Sequence, residues 1–186
     1  MMTDPFAVWI TGLPGSGKST LAAALKRELE DRGIRVEVLE SDALRRVLTP
    51  RPRYDEEERD AFYSGMLYIG RLLLRHGVPV LFDGTAHLRR YRDRARELIP
   101  RFFEVYVDTP IEVCRERDPK GLYRERPGSL PGVGVPYEPP IRPEFIARDP
   151  RSAASIAQGI LKRLSGAGTP RSAAPERGGE EDSGPS

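Results

Sequence analysis

Gly12-Leu13-Pro14-Gly15-Ser16-Gly17-Lys18-Ser19 reads G-x-x-x-x-G-K-S/T without a gap. It follows the apolar run Phe6 to Ile10, which suits a buried parallel strand. Behind it, Leu21, Ala24, Leu25 and Leu29 fall at helical spacing, and Gly33 ends that pattern. A glycine-rich turn between a strand and a helix has specific chemistry. Glycines let backbone N–H groups turn inward around phosphate oxygens. The helix starting near Lys18 aims its positive end at the same anion. Lys18 reaches the outer phosphates, and the Ser19 hydroxyl suits Mg²⁺. The stretch therefore predicts nucleoside triphosphate binding. It leaves the phosphate acceptor open.

Further strands are expected at Val36–Leu39, Val78–Phe82 and Phe102–Val107, with a fifth at Phe145–Ala147. Helical patterns run over about Glu56–Arg75 and Tyr91–Ile99, after Pro110, and through Ile156, Ile160 and Leu164. Alternating strands and helices predict an α/β, three-layer P-loop NTPase fold with a parallel five-stranded sheet. Residues 118–143 are rich in Pro, Gly, Tyr and Arg and lack periodicity, which reads as a structureless lid loop. The expected organisation is one kinase domain over 1–164. From Ser165 to Ser186 the composition predicts a disordered tail.

The 186 residues carry 30 Lys and Arg against 28 Asp and Glu, a net charge of +2. That balance predicts neither a nucleic-acid nor a membrane partner. Cys114 is the one cysteine, which excludes an internal disulfide and fits a reducing compartment. The first residues lack a basic n-region, and Phe6–Ile10 is too short for a signal or a span. A cytoplasmic protein is expected.

Ligands of open α/β sheets gather at the carboxyl ends of the strands. Asp42, Asp83 and Asp108 fall there, and Glu40 stands two residues from Asp42. Such acids could take a proton from an acceptor hydroxyl or hold Mg²⁺ through water. They could instead cap helices, which is the lesser alternative for Asp42 and the expected role of Asp108. His87, in a turn, is expected to be solvated, and Trp9 to be core.

Together these residues resemble the adenylylsulfate (APS) kinase family, over about Phe6 to Leu164. Gly12 to Thr20 resembles its G-L-S/P-G-A/S-G-K-S-T. Glu40 to Arg45 stands where the family has D-G-D-N-V/I-R, and Tyr54 to Arg59 is similar to F-S-x-x-D-R. Val105 to Cys114 resembles V-F/Y-V-D-T/A-P-L-E-V-C. Asp118-Pro119-Lys120-Gly121-Leu122-Tyr123 matches D-P-K-G-L-Y throughout, and Pro136 to Pro140 resembles P-Y-E-x-P, which closes the lid. These last two motifs are far more specific than the phosphate loop.

The resemblance implies transfer of the ATP γ-phosphate to the 3′-hydroxyl of adenosine 5′-phosphosulfate, with Mg²⁺. Gly12, Leu13, Pro14, Gly15, Ser16, Gly17, Lys18, Ser19 and Thr20 would bind ATP. Asp42 and Lys18 would be catalytic, and Ser19 and Asp42 would hold the metal. Arg45 and Arg59 would grip the phosphosulfate and Tyr54 would stack on the substrate adenine. Lys120 and Leu122 would act from the lid. Family members are often homodimers. Three departures concern the acceptor. Phe62 stands at the family's asparagine, and Ser64-Gly65 at its arginine pair. Asp83-Gly84-Thr85-Ala86-His87-Leu88-Arg89 replaces S-P-Y/F-R and is similar to the D-x-T of other hydroxyl kinases, polynucleotide kinases among them. A kinase of another nucleotide-like acceptor, a polynucleotide kinase and a non-enzymatic nucleotide switch are the alternative readings.

Overall fold

A computed structural model of the chain describes residues 5–125 and 127–166. Its strands are β1 (Ala7–Thr11), β2 (Glu37–Glu40), β3 (Val80–Asp83), β4 (Phe102–Val107) and β5 (Phe145–Ala147). All pair in parallel, in the order β2-β3-β1-β4-β5. The helices are α1 (Lys18–Glu30), α2 (Ser41–Leu48), α3 (Glu56–Arg75), α4 (Arg89–Leu98), α5 (Ile111–Arg117), α6 (Leu122–Glu125) and α7 (Ser152–Gly166).

β1 is buried along its whole length, so both faces need apolar cover. Alternation along the strand divides that cover. Val8 and Ile10 join a core with Leu21, Leu25 and Leu29 of α1 and Ile156 and Ile160 of α7. Ala7 and Trp9 face a second core with Phe62 and Met66 of α3 and Tyr91 of α4. Trp9 stacks on Phe82 at 4.7 Å between ring centres and donates its indole N–H to the Gly84 carbonyl at 3.0 Å. It is core, as expected. Gly70 lets α3 approach this layer, because a Cβ there would fall 2.2 Å from the Phe82 ring.

The chain leaves β1 toward β2 on one side of the sheet and reaches β4 on the other. The carboxyl end of β1 is therefore a topological switch point, where a crevice opens. The phosphate loop occupies that crevice.

Several boundaries differ from the sequence reading. α2 begins directly after β2, with Glu40 as its N-cap residue and Asp42 in its first turn. Asp42 therefore does not cap. Asp108 does not cap α5 either. Pro110 holds the N-cap position, and the Asp108 carboxylate pairs with Arg148 Nε at 3.7 Å. α4 starts at Arg89 rather than Tyr91. α7 runs to Gly166, so Ser165 is helical, and the rest of the expected tail lies outside the described residues.

The lid is not structureless. It contains α6, a 3-10 turn at Pro127–Ser129 and a bridge between Pro131 and Val135. Such short local pieces show no periodicity in a sequence. Gly132 has φ +84°, and a Cβ there would fall 2.5 Å from Leu13 Cδ2, so the lid packs directly on the phosphate loop.

Candidate active site

The phosphate loop takes its shape from its glycines. Gly12 has φ +154°, and a Cβ there would stand 2.7 Å from the Val107 carbonyl oxygen. Gly17 has φ +99° and turns the chain into α1 without a side-chain cap. The first N–H groups of α1 are thus left for an anion. Lys18 Nζ donates to the Leu13 carbonyl at 2.9 Å, folding the ammonium back over the loop. Burial pushes its pKa down, while the Asp83 and Asp42 carboxylates oppose that shift.

Asp83, the last residue of β3, pairs in register with Ile10 of β1 and is 3% exposed. The Ser19 side chain lies beside its carboxylate. Burial raises the Asp83 pKa, and the nearby Ser19 hydroxyl and Lys18 charge act against that rise. Sequence reasoning placed this acid among the strand-end candidates for a base or an Mg²⁺ holder but did not carry it into the set of site residues. Its position at the end of a buried strand beside β1 was the available signal.

Asp42 is half exposed, and its carboxylate accepts from Lys120 Nζ of the lid. The predicted metal residues Ser19 and Asp42 both line one cavity, and Ser19 also lies beside Asp83.

On the acceptor side, Arg45 NH1 donates to Glu58 Oε1 at 2.9 Å. Its guanidinium carbon lies 3.9 Å from the Phe62 ring centre and 5.2 Å from that of Tyr54. Arg59 Nε donates to the Tyr54 carbonyl at 2.9 Å, and its NH2 to the Ser129 carbonyl of the lid at 2.7 Å. Tyr54 has φ +61°, a left-handed conformation that a tyrosine adopts only when its surroundings impose it. The Arg59 bond to its carbonyl and a 3.4 Å bond from its N–H to Glu58 Oε2 supply that constraint.

Lys18, Ser19, Thr20, Asp42, Arg45, Tyr54, Arg59, Lys120 and Leu122 all line a single cavity of about 570 Å³, as do Pro14, Gly15 and Gly17. Gly12, Leu13 and Ser16 shape the loop without lining that cavity. A second recess of about 210 Å³ meets it at Gly17, Thr20 and Arg117 and continues past Arg148. The sequence reading named neither arginine.

The P-Y-E-P-P segment does not close over the cavity. Tyr137 Oη is 3.1 Å from the Thr11 hydroxyl, and the Glu138 carboxylate accepts from Arg89 N, at the start of α4, at 2.7 Å. The segment is an anchor for the far end of the lid. Arg92, 1% exposed, joins the same anchor by donating to the carbonyls of Ala86 and Glu138. The anchor also covers His87, which is buried rather than solvated. Glu138 N donates to the His87 carbonyl at 2.7 Å. Burial, aided by the charge of Arg59, lowers the His87 pKa to about 4.

The arrangement offers a cradle for phosphates, a carboxylate beside it, and guanidinium and aromatic groups across the cavity. That set suits phosphoryl transfer between an anionic donor and an anionic acceptor.

Comparisons with known proteins agree. A family model described as adenylylsulphate kinase matches residues 4–148. The adenylyl-sulfate kinase of Rippkaea orientalis is 41% identical over 152 residues, covering 80% of this chain and 84% of its own. A probable adenylyl-sulfate kinase of Pseudomonas aeruginosa is 37% identical over 165 residues, covering 86% and 77%. The solved APS kinase of Mycobacterium tuberculosis, in complex with AMPPNP and APS, superposes with a TM-score of 0.75 at 34% identity, covering 87% of this chain and 98% of that one.

Proposed function

The chain belongs to the adenylylsulphate kinase family, and from that premise we propose how its residues move the γ-phosphate of ATP to the 3′-hydroxyl of adenosine 5′-phosphosulfate. One observation carries the reading. A single cavity is lined both by the phosphate-loop residues Lys18 and Ser19 and by the acceptor-side residues Asp42, Arg45, Tyr54 and Arg59.

ATP lies with its phosphates in the loop and its nucleoside in the smaller recess between Arg117 and Arg148. APS occupies the larger cavity, with its adenine against Tyr54 and its phosphosulfate near Arg45 and Arg59. Asp42 accepts the 3′-hydroxyl proton as that oxygen bonds to the γ-phosphorus. The bond from the γ-phosphorus to the β–γ bridging oxygen breaks, and ADP leaves with that oxygen. Lys18 and Lys120 stand where negative charge spreads in the transition state.

The donor set fits Mg²⁺. Ser19 offers a hard hydroxyl oxygen, backed by the buried Asp83 carboxylate, with Asp42 across the cavity. Few protein ligands are typical of Mg²⁺, which keeps waters and phosphate oxygens in its shell. When bound there, it would neutralise charge on the phosphates. The ion pair between Lys120 and Asp42 makes the lid part of the acceptor site.

The reading extends to one kinase domain over 1–164, a cytoplasmic location and a homodimer. The buried, unpaired Cys114 agrees with a reducing compartment. Among the described residues, no helix is long and apolar enough to cross a membrane. Light scattering of the purified protein measures the assembly.

A second reading, another small hydroxyl acceptor, draws on Thr85 of the D-G-T segment, which also lines the large cavity. Labelled ATP offered with a panel of nucleotides, sugars and single-stranded oligonucleotides separates the two. Label should pass to APS. Transfer to another acceptor in preference to APS would move the assignment to the second reading.

A further inference from the structure

We propose that Glu58 and Phe62 are positioning residues for the acceptor, acting by holding the Arg45 guanidinium in place; the proposal rests on the APS reading above. Arg45 stands on α2, a helix of only eight residues. Its flexible side chain would have to be ordered before it could grip an anion, which costs conformational entropy at each binding event. The neighbouring helix removes that cost in advance. Glu58 and Phe62 are four apart on α3, so they share one face. The first offers a carboxylate at 2.9 Å from Arg45 NH1, and the second an aromatic face at 3.9 Å from the guanidinium carbon.

The Arg45 and Glu58 side chains are only 12% and 10% exposed, and Phe62 is 3% exposed. Stacking one face of the guanidinium on a ring leaves its N–H edges free for hydrogen bonds. Glu58 takes one of these donors and leaves others toward the cavity that Arg45 lines. The other Glu58 oxygen accepts from the backbone N–H groups of Arg53 and Tyr54. One carboxylate thus locks both Arg45 and the loop that presents Tyr54. Phe62, which replaces a polar residue of the family pattern, supplies the stacking surface.

A plain electrostatic role for Glu58 predicts the opposite sign. A carboxylate near an anionic acceptor repels it, so removing the charge should tighten binding. If Glu58 holds Arg45 in place, removing it should loosen binding.

The test is steady-state ADP release with APS and ATP varied separately, in wild type, Phe62→Leu, Glu58→Gln, Arg45→Ala and the double variants with Arg45→Ala. Phe62→Leu keeps apolar volume and removes the π face. It is expected to raise KM for APS about threefold to tenfold, the loss of one partly desolvated cation–π contact. That rise should exceed any fall in kcat, and KM for ATP should hold. Glu58→Gln should also raise KM for APS. With Arg45 already replaced, Phe62→Leu should add less than about twofold, because its partner is gone, and Glu58→Gln should keep only the smaller share that acts through the Tyr54 loop. Circular dichroism melts accompany every variant. If Phe62→Leu does not fold, the Glu58 and Arg45 cycle decides alone. Wild-type KM for APS in a folded Phe62→Leu, a lower KM in Glu58→Gln, or undiminished effects without Arg45 would each overturn the proposal. A wild type that releases no ADP with APS would overturn the acceptor reading and the proposal together.

Discussion

Lys120, in the lid, is ion-paired with Asp42, in the first turn of α2, across 78 residues of sequence. The pair joins the residue proposed to take the acceptor proton to a cation carried by the lid. Both side chains are half exposed, so the pair itself adds little to stability. Its value is to keep a cation next to the reacting oxygen. Lys120→Met is expected to lower kcat with APS about tenfold or more while leaving the melting temperature within about 2 °C, since exposed changes rarely cost more. An unchanged kcat would show that the lysine is a surface contact only.

Asp42→Asn removes the proposed base and keeps the shape of the side chain. A positioned base contributes roughly 10²–10⁴-fold to rate, so kcat should fall by that order. ATP affinity, measured with a fluorescent analogue, should stay within about threefold if the carboxylate acts only in the transition state. Lost ATP affinity with kcat preserved at saturation would make Asp42 a binding residue.

Asp83→Asn tests the buried partner of Ser19. The carboxylate sits behind the hydroxyl proposed to meet Mg²⁺. The variant should shrink the Mg²⁺-dependent gain in ADP affinity by about tenfold, the scale of a lost outer partner at a metal site. Binding without Mg²⁺ should change far less. Equal losses with and without the ion would mean that Asp83 shapes the loop alone.

Much of this site was legible beforehand, and the reasons are local. β1 and β3 are apolar up to their last residue and β4 is broken only by Glu104, because both faces of a parallel sheet are covered, and the phosphate loop is a contiguous motif. Lys18, Ser19, Asp42, Arg45, Tyr54, Arg59, Lys120 and Leu122 sit in motifs with fixed spacing and meet at one cavity, whereas Tyr63, Arg117 and Leu130 line it without any such motif. What escaped depends on contacts between distant segments. Arg59 bonds a lid carbonyl 70 residues away, and the His87 carbonyl is bonded by Glu138, 51 positions further along the chain. No spacing rule reports such contacts. The cap expected at Asp108, and the alternative one at Asp42, failed because Pro110 and Glu40 hold the N-cap positions of α5 and α2.

His87 gives a pH prediction. Its pKa is near 4 in the fold against an ordinary 6.5. Between those values the unfolded chain binds the extra proton, so stability rises with pH across that window. The His87 contribution is complete above about pH 6.5 and is lost as pH falls toward 4. The melting temperature of His87→Gln should therefore fall less steeply between pH 6.5 and 4 than that of wild type. Parallel slopes would show that the imidazole charges freely in the native state.

The most direct measurement is product analysis after wild-type protein is incubated with Mg²⁺, ATP and APS. The account predicts APS-dependent release of ADP in equal amount to a new nucleotide carrying a 3′-phosphomonoester, seen by phosphorus NMR. Tight ATP binding without APS-dependent ADP release, or a phosphate on any other position, would contradict it.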